Sequence, residues 1–406
     1  MSNPIPWLRF AAANTLRNRR RSAVTVAVAA LGTAAILLAG GFALSTYQSL
    51  AEMAARSTGH LIVSRPEALA QEEDVPLQHG LDGAEALRSA LLADDRVRQV
   101  LPRVDFTGLL SNGDKSTVMV AAGVDPDAEF SVKGPSITVT AGRVLSAGQA
   151  GQVMLGEGLA RSLKAAPGSG LTVLASTTDG ALNALDVTVV GVFSTGVPDL
   201  DKRMLYTDIG TAQKLLATRR VSSLGVFLDR MQATPSAQAR LGAAHPTLAV
   251  QTWLDRAFFY RSVRELYNRI FGALGLIIGV IVVFVVTNAM AMAVIERTRE
   301  IGTLRALGTL PGQLVRSFAL EGLLLGGAGA ALGALLALGV TGALVLFPVQ
   351  MPPPPGRNVG YLLQIALDAP LYATTLAAMV LLATVASAVV ARRTVGRRVV
   401  DALAHA

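Results

Sequence analysis

"VIERTREIGTLRALG", residues 294–308, decides the architecture of this chain. No Asp, Glu, Lys or Arg occurs from Ile270 to Ile295, and then Glu296, Arg297, Arg299, Glu300 and Arg305 arrive together. A helix over those 26 uncharged residues rises about 39 Å at 1.5 Å per residue. A hydrocarbon core of roughly 30 Å needs about 20 helical residues, so the run can cross a membrane with tilt to spare. The charged segment is therefore what emerges on one side of a bilayer.

Three further blocks share this character: Ser22–Leu44, Gly322–Gly356 and Ala369–Ala391 carry no charged residue. They explain why only 16% of the chain is charged, against about 25% in ordinary globular domains. The expected fold is an integral membrane α-helical protein with four transmembrane helices. Its first block follows Arg17, Arg19, Arg20 and Arg21, as a secretory signal would, but at 23 residues it exceeds the 7–15 residues typical of a signal h-region. It is read as a retained helix.

Charge placement orients the helices. Outside residues 46–268 the chain has 15 basic and 5 acidic residues; within that segment acidic residues outnumber basic ones, 23 to 21. Arg9 and Arg17–Arg21 precede the first helix, Arg297, Arg299, Arg305 and Arg316 separate the second and third, and Arg392, Arg393, Arg397 and Arg398 follow the fourth. Only Arg269 and Arg357 fall on the other side. By the positive-inside rule, the expected order has nine parts. A cytoplasmic segment (1–21) leads to the first membrane helix (22–45) and an extracytoplasmic α+β domain (46–268). The second membrane helix (269–295), a cytoplasmic helix and loop (296–316) and the third membrane helix (317–347) follow. A short outer loop (348–368), the fourth membrane helix (369–391) and a cytoplasmic tail (392–406) complete the chain.

Within the opening stretch, Ile301, Leu304 and Leu307 fall near one helical face and Glu296 and Glu300 stand four apart. Gly308 and Pro311-Gly312 end the helix. Two readings remain open: a solvated connector, or a docking helix showing three aliphatic side chains to a cytoplasmic partner inside a rim of charge.

The outer segment alternates β-rich runs (59–64, 116–124, 171–176, 186–193, 224–229) with helical ones (83–100, 156–165, 207–217). Residues 65–80 are acidic and Pro-punctuated, an expected exposed loop. Trp253, Phe258, Phe259, Tyr260 and Tyr267 lead into the second membrane helix, either as an interfacial belt or as packing against the outer domain.

Catalytic signatures are missing. The chain has no cysteine, its four histidines (His60, His79, His245, His405) are scattered, and it holds no Gly-Lys pair and hence no phosphate-binding loop of its own. No catalytic residue, no metal site and no nucleic-acid partner is expected. Gly329 with Gly333, and Gly275 with Gly279, have the four-residue spacing that lets transmembrane helices approach closely. Glu321 is an ionisable residue at the start of the third span, a suspect for function. It either pairs locally near Arg316 or serves as a coupling carboxylate. The Pro352–Pro355 run reads as a stiff polyproline turn.

This layout, with "RNRRRSAVTVAVAALG" (17–32), "GRVLSAGQAGQVMLGEGLARSLKAAPGSGLTV" (142–173), "VVGVFSTGVPDLDKRMLYTDIGTAQKLL" (189–216), "ERTREIGTLRALG" (296–308) and "ARRTVGRRVVDAL" (391–403), resembles the FtsX-like/MacB-type permeases of ABC transporters, nearest to the lipoprotein-releasing LolC/LolE branch. The Pro often found before the last Ala-Leu of the tail is missing here. The resemblance implies a type VII ABC permease architecture in a bacterial inner membrane. It implies pairing with a second permease chain, as homodimer or heterodimer, and with two copies of an ABC ATPase that bind ATP and Mg, so that this chain needs no cofactor and is not itself an enzyme. Membrane lipid and a periplasmic carrier or adaptor complete the implied partners. Carried over by position, Glu296, Arg297, Arg299, Glu300, Ile301, Leu304, Arg305, Leu307 and Gly308 would form the ATPase contact. The implied function is extraction or release of lipoprotein or lipid-like cargo, driven by ATPase motion. Efflux of a small hydrophobic molecule or peptide, and a signalling scaffold that activates an outer hydrolase or sensor kinase, are the alternatives.

Overall fold

The structure, a computed structural model, describes residues 13–15, 17, 19–70, 75–134, 137–353, 358 and 360–395, apart from the side chains of residues 69, 70, 258, 259, 298, 299, 306, 394 and 395. His405, Arg397, Arg398 and Pro354–Arg357 lie outside the described residues. Two compact units divide the chain: Ser49–Ser262 with Gln350–Tyr361, and the remainder.

The first unit is built on ten strands: β1 (Leu61–Ser64), β2 (Val97–Ser111), β3 (Ser116–Val124), β4 (Thr138–Gly142), β5 (Gln152–Gly156), β6 (Gly170–Ser176), β7 (Leu182–Ser194), β8 (Met204–Asp208), β9 (Ser223–Leu228) and β10 (Ala249–Thr252). Their order is β10-β1-β9-β2-β3-β8-β5-β7-β4, and β6 pairs with both β2 and β7. Strands β2, β3, β8, β5, β7 and β6 therefore close a ring, which leaves few free edges to manage. The long β2 joins it to β9, β1 and β10, and the long β7 carries β4. Alternation sets the faces: Met119 and Ala121 of β3 point inward and are buried, while Val118 and Val120 point out. Phe106, Leu110, Val153, Leu155, Val173, Val187 and Leu205 join them in the main core. Helices cover the rest. Asp125 caps 126–133 through the Ala128 N–H, and Asp208 caps 209–215 through the Thr211 N–H at 2.8 Å.

The β-rich runs at 59–64, 116–124, 171–176, 186–193 and 224–229 fall on β1, β3, β6, β7 and β9. The expected helix over 83–100 stops at Leu92, and β2 begins at Val97. Arg98, Arg103 and Asp105 sit on β2, and its charge and Pro102 hid its strand character.

Among the described residues, the second unit has helical residues at 13–15 and 17 and five longer helices: α1 (Arg19–Thr58), α2 (Phe258–Glu296), α3 (Thr298–Ala306), α4 (Pro311–Leu346) and α5 (Ala369–Val395). All but α3 are long and apolar enough to cross a membrane. Helices α1 and α2 outrun the uncharged blocks that announced them, and each contributes residues to both units. At its far end α1 stops at Gly59, whose φ of 101° suits a residue without Cβ. A Cβ there would come within 2.9 Å of the Leu61 carbonyl oxygen.

Small residues set the helix packing. A Cβ on Gly329 would sit 2.5 Å from Ala29 Cβ, and one on Gly333 would overlap the Ala30 carbonyl, so both seat α4 against α1. Gly322 and Gly326 do the same against Ser387 and Ala383 of α5. Gly275 and Gly279 differ from their expected role: nothing lies within 4 Å of a Gly275 Cβ, and only Leu382 Cδ1, at 3.9 Å, approaches Gly279. Their stretch of α2 turns outward with Leu276, Val280 and Phe284, all exposed, so the described residues of this chain supply no tight neighbour for them.

Candidate coupling site

Helices α2 and α3 are almost one helix. Arg297 interrupts them with φ −106° and ψ 13°, outside the helical basin, and α3 resumes at Thr298. The Ile301 N–H then donates to the Arg297 carbonyl at 2.9 Å. At the other end, Leu307 caps α3 and Gly308 takes φ 95°, with the Thr309 N–H donating to the Leu304 carbonyl at 3.0 Å. The charged segment is thus a nine-residue helix, hinged at one residue and closed by glycine.

Its faces differ from the expectation of three exposed aliphatics. Ile301 is buried with Val294, Leu314, Phe318 and Ala391, and Leu304 packs against this cluster. Both serve to hold α3 on α4 and α5. Leu307 alone of the three stands out, 79% exposed. Glu296 and Glu300 are exposed and Arg305 is half-buried; the Arg299 side chain lies outside those described.

Arg297 is likewise no rim residue. It is 5% exposed, and its Nη1 donates to Glu321 Oε1 at 3.0 Å. Asn14 Nδ2 donates to the same oxygen at 2.9 Å, and Arg297 Nη2 donates to the Asn14 carbonyl at 3.3 Å. Glu321 therefore pairs with the α2–α3 hinge and with the N-terminal segment rather than locally with Arg316. A charge removed from water this fully must be compensated, and the three groups compensate one another. Above this buried node, Arg21 Nη1 donates to Glu296 Oε2 at 3.1 Å and Arg17 Nη2 to Glu300 Oε1 at 2.8 Å. In the sequence those arginines mark orientation and the entry to the first helix, not a pairing with α2 and α3, and nothing singles out Asn14, whose partner is 307 positions away.

A second polar node lies in the sheet unit, where α1 ends. Arg103 of β2 donates through Nη1 to the Ser57 carbonyl at 2.8 Å, in the last turn of α1, where backbone carbonyls lack helical partners. Its Nη2 binds Glu129 Oε1 at 3.0 Å, and Lys133 Nζ binds the same oxygen at 2.7 Å. Burial first, and then the Arg103 charge, hold the Lys133 ammonium down to about 8, against the opposing pull of Glu129. Burial pushes the neighbouring Tyr206 phenol up to about 12. His60, lowered by burial, accepts the Leu228 N–H through Nδ1 at 2.9 Å, a structural role. Among the described residues, no group of three His, Cys, Asp or Glu is placed to hold a metal ion.

Four apolar helices, a short charged helix hinged between the second and third, and a separate α+β unit define a polytopic membrane subunit with a large extramembrane domain. The sequence matches the MacB-like periplasmic core domain over residues 22–244 and the FtsX-like permease C-terminal family over residues 272–398. The chain belongs to the FtsX-like, MacB-type permeases of ABC transporters. It is 26% identical over 260 residues to the lipoprotein-releasing system transmembrane protein LolE of Haemophilus influenzae, covering 62% of each chain. It is 29% identical over 233 residues to LolC of Neisseria meningitidis, covering 54% of this chain and 55% of that one. The chain thus spans roughly three fifths or less of the length of these relatives. Among solved structures it is similar to the periplasmic region of MacB from Actinobacillus actinomycetemcomitans, at 16% identity and a TM-score of 0.35, over 49% of this chain and 92% of that one.

Proposed function

We propose that this permease couples ATP hydrolysis on a separate ABC ATPase to motion of its outer domain, and so extracts or releases lipoprotein or lipid-like cargo. The observation that carries this reading is α3: a short helix on a one-residue hinge, its inner face anchored by Ile301 and its tip showing Leu307. An exposed aliphatic flanked by charge has the make-up of a docking anchor. Force applied to α3 meets the hinge at Arg297, and the Arg297–Glu321–Asn14 node ties that hinge to α4 and to the start of the chain. The ATPase contact then comprises Glu296, Glu300, Arg305, Leu307 and Gly308, with Arg299 by position. Arg297, Ile301 and Leu304 act beneath it as support.

Two ATPase copies would bind ATP and Mg, and this chain would supply no hydrolytic group. A second permease chain, alike or different, would complete the assembly, and the outward stretch of α2 around Gly275 and Gly279 has no tight neighbour among the described residues. The arginine distribution supports an inner-membrane orientation with both termini and α3 cytoplasmic and the sheet unit periplasmic. The names of the LolC and LolE relatives favour lipoprotein as cargo. The MacB-like match of the sheet unit favours efflux of a small hydrophobic molecule as the second reading.

Mass spectrometry of a tagged chain extracted in a lipid-preserving medium tests this. An ABC ATPase with a lipoprotein or an enriched lipid is the expected result. An ATPase with an adaptor would move the cargo to the second reading, and an ATPase with a hydrolase or sensor kinase would remove transport altogether.

A further inference from the structure

The two carboxylates beside the hinge that are best placed for a partner, Glu296 at the end of α2 and Glu300 on α3, are already occupied. Glu300 is held by Arg17 at 2.8 Å and Glu296 by Arg21 at 3.1 Å, while both carboxylates stay about half exposed. Beneath them, Asn14 is buried against Glu321 and Arg297. Ser22 Oγ donates to the Thr15 carbonyl at 2.9 Å, seven residues back. An unbroken α-helix would hold those two groups far apart, so the helical residues 13–15 and α1 are not one continuous helix. Asn14, Arg17 and Arg21 thus form a strap across the hinge, with one buried foot at Asn14, an exposed grip at Arg17 and a partly buried grip at Arg21.

The two layers differ in how easily they open. The buried foot shares a desolvated ion pair, whose disruption is costly. The grips are solvent-accessible ion pairs, Arg21 being the more covered of the two arginines, and such pairs contribute little and exchange readily. A partner presenting cationic groups to Glu296 and Glu300 would displace Arg17 and Arg21 without unseating Asn14.

We infer that this strap is a competitive clasp: Arg17 and Arg21 occupy the coupling carboxylates in the resting chain, and a docking protein with a basic surface takes their place. The inference rests on α3 being the docking helix. Release of the grips frees the arginines at the start of α1, so docking is felt by α1 directly as well as by α2 through the hinge. Arg17 and Arg21 act here as positioning residues that set the threshold for engagement.

The absence of cysteine from the chain makes the test clean. Ala13→Cys/Thr303→Cys, placed four residues before Arg17 and three after Glu300 so that both ion pairs stay in place, introduces a unique pair that a long bifunctional maleimide can bridge in the chain in nanodiscs. The clasp predicts a cross-link in the free chain that falls at least severalfold when the co-purifying ATPase is bound. Equal cross-linking with and without the ATPase would overturn it. In parallel, Arg17→Ala/Arg21→Ala should tighten ATPase binding by about three- to tenfold, the range expected for losing two solvent-accessible competing pairs. Unchanged or weakened binding would show that the arginines do not compete. Leu307→Asp separates the clasp from the reading beneath it: if that variant binds the ATPase as the wild type does, docking through α3 itself is wrong.

Discussion

Replacing Glu321 by Gln tests whether the buried node holds the hinge. The side chain keeps its shape and an acceptor oxygen for Asn14 Nδ2, but Arg297, 5% exposed, loses its counter-charge. Removing one partner of a buried ion pair costs about 3–5 kcal/mol, because the remaining charge stays desolvated. Retention of the acceptor puts Glu321→Gln near the low end, about 3 kcal/mol. In nanodiscs this should lower the apparent melting temperature by several degrees. It should also raise hydrogen exchange across residues 296–306, whose opening the node restrains. The double variant Arg297→Met/Glu321→Leu removes both charges and should recover most of the loss, since apolar replacement of a buried pair is often neutral or stabilising. A loss under about 1 kcal/mol for Glu321→Gln, the scale of an exposed pair, would refute the reasoning. So would a double variant less stable than the single.

Three further outcomes follow from named contacts. Gly333→Leu should unseat α4 from α1, because even a Cβ meets the Ala30 backbone, whereas Gly275→Leu should leave the stability of the isolated chain unchanged; paired melting curves check this. Gly59→Ala should destabilise the sheet unit through the strained positive φ and the 2.9 Å approach to the Leu61 carbonyl oxygen and the Val226 nitrogen, read by denaturant unfolding of the full chain. The Lys133 ammonium, held down to about 8 by burial and Arg103, binds fewer protons folded than unfolded between pH 8 and about 10.4. Its contribution to stability should therefore rise with pH across that window. Melting temperature against pH, compared with Lys133→Met, isolates the effect from Asp105, Glu129 and Tyr206 around it; a wild-type profile parallel to the variant's would contradict it.

Much of the fold is legible in the residues. Missing charge marks the four apolar helices, and β-branched runs mark five of the strands. Gly308 signals the end of α3, and the spacing of Gly329 and Gly333 signals their close approach to α1. What escapes has a common cause. Strand β2 carries Arg98, Arg103 and Asp105, the second of them in the buried node, and Pro102 among them, so local pattern argues against a strand that pairing with β3, β6 and β9 enforces. The inward turn of Ile301 and Leu304 and the burial of Arg297 depend on helices that return to α3 from distant sequence. Asn14, one of several polar residues ahead of α1, gains meaning only beside Glu321. Long-range partners, rather than local propensity, decide those positions.

The central claim is that α3 docks an ATPase through its exposed tip. The most direct test compares ATPase recovery on tagged wild-type and Leu307→Asp chains from the same membranes, with equal melting temperatures as the control for folding. ATPase on the wild type and its loss from the variant is the predicted result. No ATPase on either chain, or equal recovery on both, would contradict the account.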